Sequence, residues 1–413
     1  MTAPRPRRAL MISENAPVPG DRRVWNESRT LAKAGWEVVV VSAAEDGQPP
    51  RETIEGIEIH RYPLRPAGSA LGYLREYAQA FWRIRRLVRR LQAERPFDVV
   101  HTANPPDFLL FAARSARAGG ARFVFDHHDL MPELFRARYD RAGLPHRVLL
   151  AIERRAMGAA DVVISTNESY RRIAIERDGV DPDDVFVVRN NPDLERFHRV
   201  EPDPALRRGR RHLVAYLGRM GPQDGIDHAV RALGALRGLR EDDWQAVFVG
   251  EGEVRSRMEA LAAELGIAEM VDFAGWHGDA EIRRVLSTAD VCLAPDPPSP
   301  LNDASTMKKV PEYMAMGCAI ASYDLPETRI SAGDAAAYVP SSDPADLGRC
   351  LHELLGDEAR REAMGREGRR RAAELSWQQS AAVLFAAYDR ALAPKAHPGE
   401  KSGSRGELAR VPG

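Results

Sequence analysis

Ser305, Thr306, Lys308, Lys309 and Glu312 stand close together in a stretch that suits the binding of an anion. It follows the apolar run Ala289-Asp-Val-Cys-Leu-Ala-Pro295 and leads into a second, Ala319-Ile-Ala-Ser-Tyr323. A strand, a polar loop, a helix and another strand are expected in that order. In open α/β sheets such loops lie at the carboxyl ends of strands, where ligands bind. Pro311 lacks an N–H and is comfortable only in a first turn, so the helix should begin near Met307 or Lys308, and Gly317 should end it. Two hydroxyls and two ammonium groups would then stand beside free backbone N–H groups at the positive end of the helix dipole. Glu312 lies three residues after Lys309 and shares its helical face. An ordinary capped helix with two solvated lysines fits the same residues.

The elements that would position this loop show as alternating patterns along the chain. Strand-like runs are expected at Arg8–Ser13, 37–42, 57–61, 98–101, 122–126, 161–165 and 185–188. Helices are expected between them, over 22–34, 108–118, 147–158 and 169–177. Leu74, Tyr77, Phe81, Ile84, Val88 and Leu91 recur at spacings of three and four and mark one strongly amphipathic helix. The second half repeats the rhythm, with strands at His212–Leu217, 246–250, 270–273, Val291–Ala294, 320–323 and Ala336–Val339. Strands alternating with helices imply an α/β fold of parallel sheets covered on both faces. Prolines, acids and an arginine cluster interrupt the rhythm at 193–211, which reads as a linker. The organisation expected is therefore a first domain over 1–192 and a second over 212–375. A final helix over 376–393 would pack back on the first domain, and a disordered tail would follow over 394–413.

Composition narrows the function. A chain of 413 residues is too long for one ordinary core and fits two domains. A formal net charge of −1 gives no bulk attraction to nucleic acid, and no nucleic-acid partner is expected. Cys292, Cys318 and Cys350 are spaced for neither a disulfide framework nor a zinc site, which points to a reducing, cytoplasmic setting. The apolar run after the basic N-terminus is only Ala9-Leu-Met-Ile12, too short for a signal peptide. No window approaches the roughly 18 apolar residues that span a bilayer.

Several motifs together resemble the GT-B-fold glycosyltransferases of family 4. They are Val188-Arg-Asn-Asn-Pro192, Tyr216-Leu-Gly-Arg-Met220 running on to Gly225-Ile-Asp227, Val247-Phe-Val-Gly-Glu-Gly252, Phe273-Ala-Gly275 and Lys309-Val-Pro-Glu-Tyr-Met-Ala-Met-Gly317. The resemblance implies two Rossmann-like doubly wound domains facing a central cleft. It also implies transfer of a sugar from a nucleotide diphosphate sugar to an acceptor hydroxyl, with retained configuration and without metal or cofactor. By the same resemblance Gly218, Arg219, Gly250, Ser305, Thr306, Lys309 and Glu312 would bind the donor. Arg219 and Lys309 would hold the diphosphate, Glu312 the ribose hydroxyls, and His128 the transferred sugar. These four form the expected catalytic set. Charge that builds on the departing diphosphate would be met by Arg219, Lys309 and the helix N-terminus. On the acceptor side stand Gly20, Asp21, Arg22 and Asp129, with Arg22 and Arg23 suited to an anionic, lipid-linked or small-molecule acceptor. A helix capped by Asp21, with solvated arginines, is the plainer alternative there.

Two positions depart from the family pattern. Its first acidic position falls on Ala304, and the lysine expected before Gly225 is replaced by Gln223-Asp224. These departures leave room for a catalytically weak or inactive sugar-nucleotide-binding partner subunit, and a sugar-nucleotide epimerase would share the fold. His127 reads as a core or surface histidine and Asp181-Pro-Asp-Asp184 as a turn, so no metal site is expected. The amphipathic helix over 74–91 carries Arg83, Arg85, Arg86, Arg89 and Arg90 beside Tyr73, Phe81 and Trp82. That pattern suits peripheral contact with an anionic inner membrane face. A core stripe with a solvated basic face suits it as well.

Overall fold

A computed structural model describes residues 5–63, 70–139, 143–195, 197–240 and 243–394. The first sheet contains β1 (Arg8–Ser13), β2 (Glu37–Ala44), β3 (Arg51–Ile54), β4 (Ile57–Pro63), β5 (Val99–Ala103), β6 (Arg122–His127), β7 (Val162–Ser165) and β8 (Val185–Val187). Their order across the sheet is β3-β4-β2-β1-β5-β6-β7-β8. All neighbours are parallel except β3 and β4, which pair antiparallel at the edge. The valine run of β2 is buried on both faces, as a central parallel strand requires. The second sheet contains β9 (His212–Leu217), β10 (Trp244–Val249), β11 (Val271–Gly275), β12 (Val291–Ala294), β13 (Ala319–Tyr323) and β14 (Ala336–Val339). It is wholly parallel, in the order β11-β10-β9-β12-β13-β14. In both sheets the strand order reverses beside the first strand of the series, and a crevice opens at that switch point.

The last helix, Trp377–Leu392, lies on the first sheet rather than the second. Leu384, Ala387 and Tyr388 are buried there with residues of β1, β5 and β6. Trp377 Nε1 donates to Thr30 Oγ1 at 2.9 Å, and Tyr388 meets Trp36 edge to face at 5.3 Å. The two halves are thereby joined twice, once by the chain after β8 and once by this return.

Several local expectations need correction. The segment 108–118 forms two short helices, Leu109–Ala112 and Arg114–Ala118. Met131–Tyr139 is an additional helix, and β3 an additional strand. The loop before Lys309 contains a short helix, Pro300–Ala304, because the Ser299 side chain accepts from Asn302 N and Pro300 opens the first turn. The tail expected to be disordered lies, from residue 395 on, outside the described residues.

Candidate active site

The helix Lys309–Met316 is fixed at both ends. Gly317, at φ +66°, turns the chain out, with Gly317 N bonded to Met314 O at 2.9 Å and Cys318 N to Tyr313 O at 3.0 Å. In its middle, Tyr313 Oη donates to Leu293 O at 3.0 Å and accepts from Leu217 N at 2.8 Å. One phenol thus ties the helix to the carboxyl ends of β9 and β12, so Lys309 and Glu312 inherit the rigidity of the sheet.

Gly218 follows β9 with φ +153°, and the added Cβ of any other residue would lie 2.9 Å from Tyr216 Oη and 3.4 Å from Lys309 Cε. Gly250 meets a packing need. A Cβ there would fall 1.8 Å from Gly218 O, so its missing side chain makes room for the neighbouring backbone. Arg219 is exposed, and its guanidinium makes no ion pair among the described residues. Lys309 is paired rather than solvated. Its Nζ lies 2.7 Å from both oxygens of Asp296 and 5.2 Å from the Tyr216 ring centroid. Both Lys309 and Asp296 are buried. A free cation and a paired one therefore flank the Gly218 turn.

Ser305 and Thr306 are committed to the other domain rather than to an open anion loop. Tyr170 Oη is 3.1 Å from Ser305 Oγ, and Asn167 Nδ2 donates to Ala304 O at 2.9 Å and Thr306 Oγ1 at 3.1 Å. Asn167 is free to do so because its own Oδ1 caps the helix Glu168–Glu176 through Tyr170 N. Arg22 also crosses the cleft instead of facing an empty acceptor pocket. Its Nη1 lies 3.0 Å from Glu312 Oε1, and its Nη2 pairs with Asp279. Burial raises the Glu312 pKa, and Arg22 opposes that rise.

Gly20 is exposed, and Asp21 caps the helix Arg22–Lys33 by accepting from Val24 N at 3.3 Å, with Ser13 Oγ at 2.9 Å on its other oxygen. Arg23, expected beside an anionic acceptor, is instead wholly buried. It grips Asp126 with bonds of 2.6 and 2.7 Å, approaches Glu27 at 3.3 Å and donates to Val188 O at 2.9 Å. His101 completes the cluster, 2.9 Å from Tyr388 Oη and 3.5 Å from Glu27. Burial alone would raise the Asp126 carboxyl, but Arg23 overrides it and holds the group well below the usual range. Burial leaves Glu27 raised well above that range. Ligand atoms of Glu27, His101 and Asp126 lie within 4.8 Å of one another, a spacing open to a metal ion. The Arg23 guanidinium already balances the charge there, so a dication fits poorly.

His128 sits at the cleft end of β6 with Nδ1 3.5 Å from Asp126 Oδ2, which places a clamped carboxylate behind the imidazole. The side chain of Asn104 sets the backbone beside it. Its Oδ1 accepts from His128 N at 2.7 Å and Asp129 N at 3.0 Å, and its Nδ2 donates to Asp129 O at 2.7 Å. His127 points away into the core, 3.2 Å from Glu153 and stacked on Phe125. Asp296, Asn104, Asp126 and Glu27 are thus site residues that motif spacing did not mark. For Asp296, Asn104 and Asp126 the available signal was a polar residue closing an apolar strand run, whereas Glu27 lies inside the helix Arg22–Lys33 and gave none.

The model of Glycosyltransferase Family 4 matches residues 20–196, and that of Glycosyl transferases group 1 matches residues 211–357. The chain belongs to the family 4, group 1 glycosyltransferases. It is 27% identical over 442 aligned positions to a D-inositol 3-phosphate glycosyltransferase of Stackebrandtia nassauensis, covering 96% of this chain and 95% of that one. Sucrose-phosphate synthase from Thermosynechococcus elongatus shares the GT-B fold at a TM-score of 0.73 and 19% identity, over 93% of this chain and 98% of the other. The Anabaena protein HepE, solved with UDP and glucose, does so at 0.69 and 13%, over 93% and 99%. In this glycosyltransferase the group 1 match contains Gly218, Arg219, Asp296, Lys309 and Glu312, and the family 4 match contains Arg22, Asp126 and His128.

Proposed function

We propose that this glycosyltransferase takes a nucleoside diphosphate sugar into its second domain and passes the sugar to an acceptor held by the first. The observation that carries this reading is the pairing of Arg219 and Lys309 around the Gly218 turn, with Glu312 on the same helix as Lys309. The diphosphate lies against the two cations, and the positive end of the helix adds to them. Glu312 receives the ribose hydroxyls once Arg22 lets go of it. As the glycosidic bond to the diphosphate breaks, charge moves onto the leaving oxygen, and fixed cations in a closed cleft lower the barrier most at that moment. His128, backed by Asp126, orients the hydroxyls of the transferred sugar. The sugar keeps its configuration, with the leaving phosphate accepting the acceptor proton. No divalent ion is needed because cations of the chain meet the diphosphate.

The neighbour solved with UDP and glucose makes uridine the first base to try, and the inositol phosphate relative makes a small phosphorylated polyol the first acceptor class. A panel of nucleotide sugars with such acceptors, assayed in EDTA for both nucleoside diphosphate and glycoside, tests the reading. Equal amounts of the two products are expected. Sugar-nucleotide isomerisation without acceptor would instead mean an epimerase, and donor binding without any turnover would mean a partner subunit.

A membrane-bound acceptor would meet the first domain at the helix Ala70–Glu94. Ile84, Val88 and Leu91 are buried in the core, whereas Trp82 is 64% exposed and Arg86, Arg89 and Arg90 face outward. Among the described residues no helix is long and apolar enough to cross a membrane, so contact would be peripheral. The protein should sediment with anionic phosphatidylglycerol vesicles and not with neutral phosphatidylcholine ones. The Arg86, Arg89 and Arg90 to Gln triple variant should lose that binding. Equal sedimentation of variant and wild type would remove the membrane role.

A further inference from the structure

Asp224 and Asp296 place two carboxylates at the corner that, on the reading above, receives a diphosphate. Gly225 holds the first one there: a Cβ at this position, with φ +66°, would lie 2.1 Å from the carbonyl oxygen of Pro295. The loop after β9 is thus pressed against the segment carrying Asp296. Asp224 Oδ2 accepts from Gly221 N at 2.8 Å. The charged groups facing Asp224 are Lys309 on the helix, Asp296 after β12 and Arg219 on its own loop, and the Tyr216 phenol of β9 also faces it. Asp296 is fully engaged by Lys309. With both acids ionised, the corner's two cations are cancelled before any ligand arrives. A diphosphate bound there would then meet an ionised carboxylate, and like charge disfavours that arrangement. The corner therefore needs a donor to the phosphate beyond its two cations.

We propose that Asp224 joins the diphosphate subsite in its protonated form, taking one proton from solvent as the donor binds and donating the new O–H to a phosphate oxygen. The proton goes on Oδ1, and Oδ2 keeps its bond from the Gly221 N–H. Burial already pushes Asp224 up to about 6, with Lys309 opposing and Asp296 adding to the rise. The bound diphosphate pushes it further. A group whose pKa is higher in the complex favours binding at low pH, so affinity falls as pH rises from about 6 through neutrality, by about tenfold per pH unit.

Calorimetric titration with UDP-glucose and GDP-mannose, in buffers of different ionisation enthalpy at pH 7 and 8, tests this. The diphosphates of these donors carry no exchangeable proton near neutrality. Uptake of about one proton per donor bound is expected, and Asp224→Asn should bind with no uptake and little pH dependence. Binding without uptake in the wild type, or uptake that persists in Asp224→Asn, overturns the proposal and leaves the donor reading standing. If neither donor binds at any pH, the donor reading falls and the proposal falls with it.

Discussion

Arg219→Ala should lower turnover by about 10²–10³-fold and leave the melting temperature where it was. The guanidinium is exposed and pairs with nothing among the described residues, so its removal leaves no buried charge behind. On the proposed function, its value lies in reaching the leaving diphosphate as charge develops there. Lys309→Ala should cost as much activity and in addition weaken the fold, because Asp296 would stay buried without its partner. Breaking a buried pair from one side typically costs about 3–5 kcal/mol. The double replacement Lys309→Met with Asp296→Leu should recover most of that stability and none of the activity. Thermal melts and steady-state rates on the three proteins separate the two roles. If Arg219→Ala melts early, or Lys309→Ala turns over normally, the assignment of the two cations is wrong.

Asp126→Ala should lower stability by about 3–5 kcal/mol, a fall of roughly 6–20 °C in melting temperature for a domain of this size. Arg23 would be left wholly buried, with only Glu27 and a backbone carbonyl to receive it, and burial drives Glu27 toward its neutral form. The cluster also ties three separate parts of the first domain together. Arg23 comes from the first helix and Asp126 from β6, and His101 on β5 links them to Tyr388 of the returning C-terminal helix. Asp126→Asn preserves shape but not charge, so it should be nearly as damaging as alanine. Paired apolar replacement of Arg23 and Asp126 should be milder than either single change. A small loss in Asp126→Ala would mean that the cluster is solvated and carries little of the stability.

Much of the fold could be read from pattern because the residues concerned act locally. The valines of β2, the Gly317 stop and the apolar stripe of the helix Ala70–Glu94 each follow from their immediate neighbours. The antiparallel edge strand β3 escaped because it is short and polar and alternates between exposed and half-buried. The helix Met131–Tyr139 was obscured by Pro132, which the first turn tolerates. At the candidate site, motifs single out Gly218, Arg219, Lys309, Glu312 and His128, but not what each one touches. The Asp296 partner of Lys309 lies on another strand end, and Arg22 meets Glu312 from the opposite domain. The Arg22 pair depends on how two sheets face each other, and the Asp296 pair on how the loop after β12 folds back over the helix, which no local spacing encodes. The same limit explains Arg23: beside Arg22 in sequence it looks equally solvated, yet the helix turns it into the core.

On the proposed function, a nucleoside diphosphate sugar binds at the Gly218 turn between Arg219 and Lys309. The most direct test is the thermal shift of wild type and Arg219→Ala with UDP-, GDP-, ADP- and TDP-sugars in EDTA. A clear stabilisation of the wild type by donors of one base, largely lost in Arg219→Ala, is expected. Equal stabilisation of both proteins would put the donor elsewhere in the cleft, and no stabilisation by any donor would contradict the claim outright.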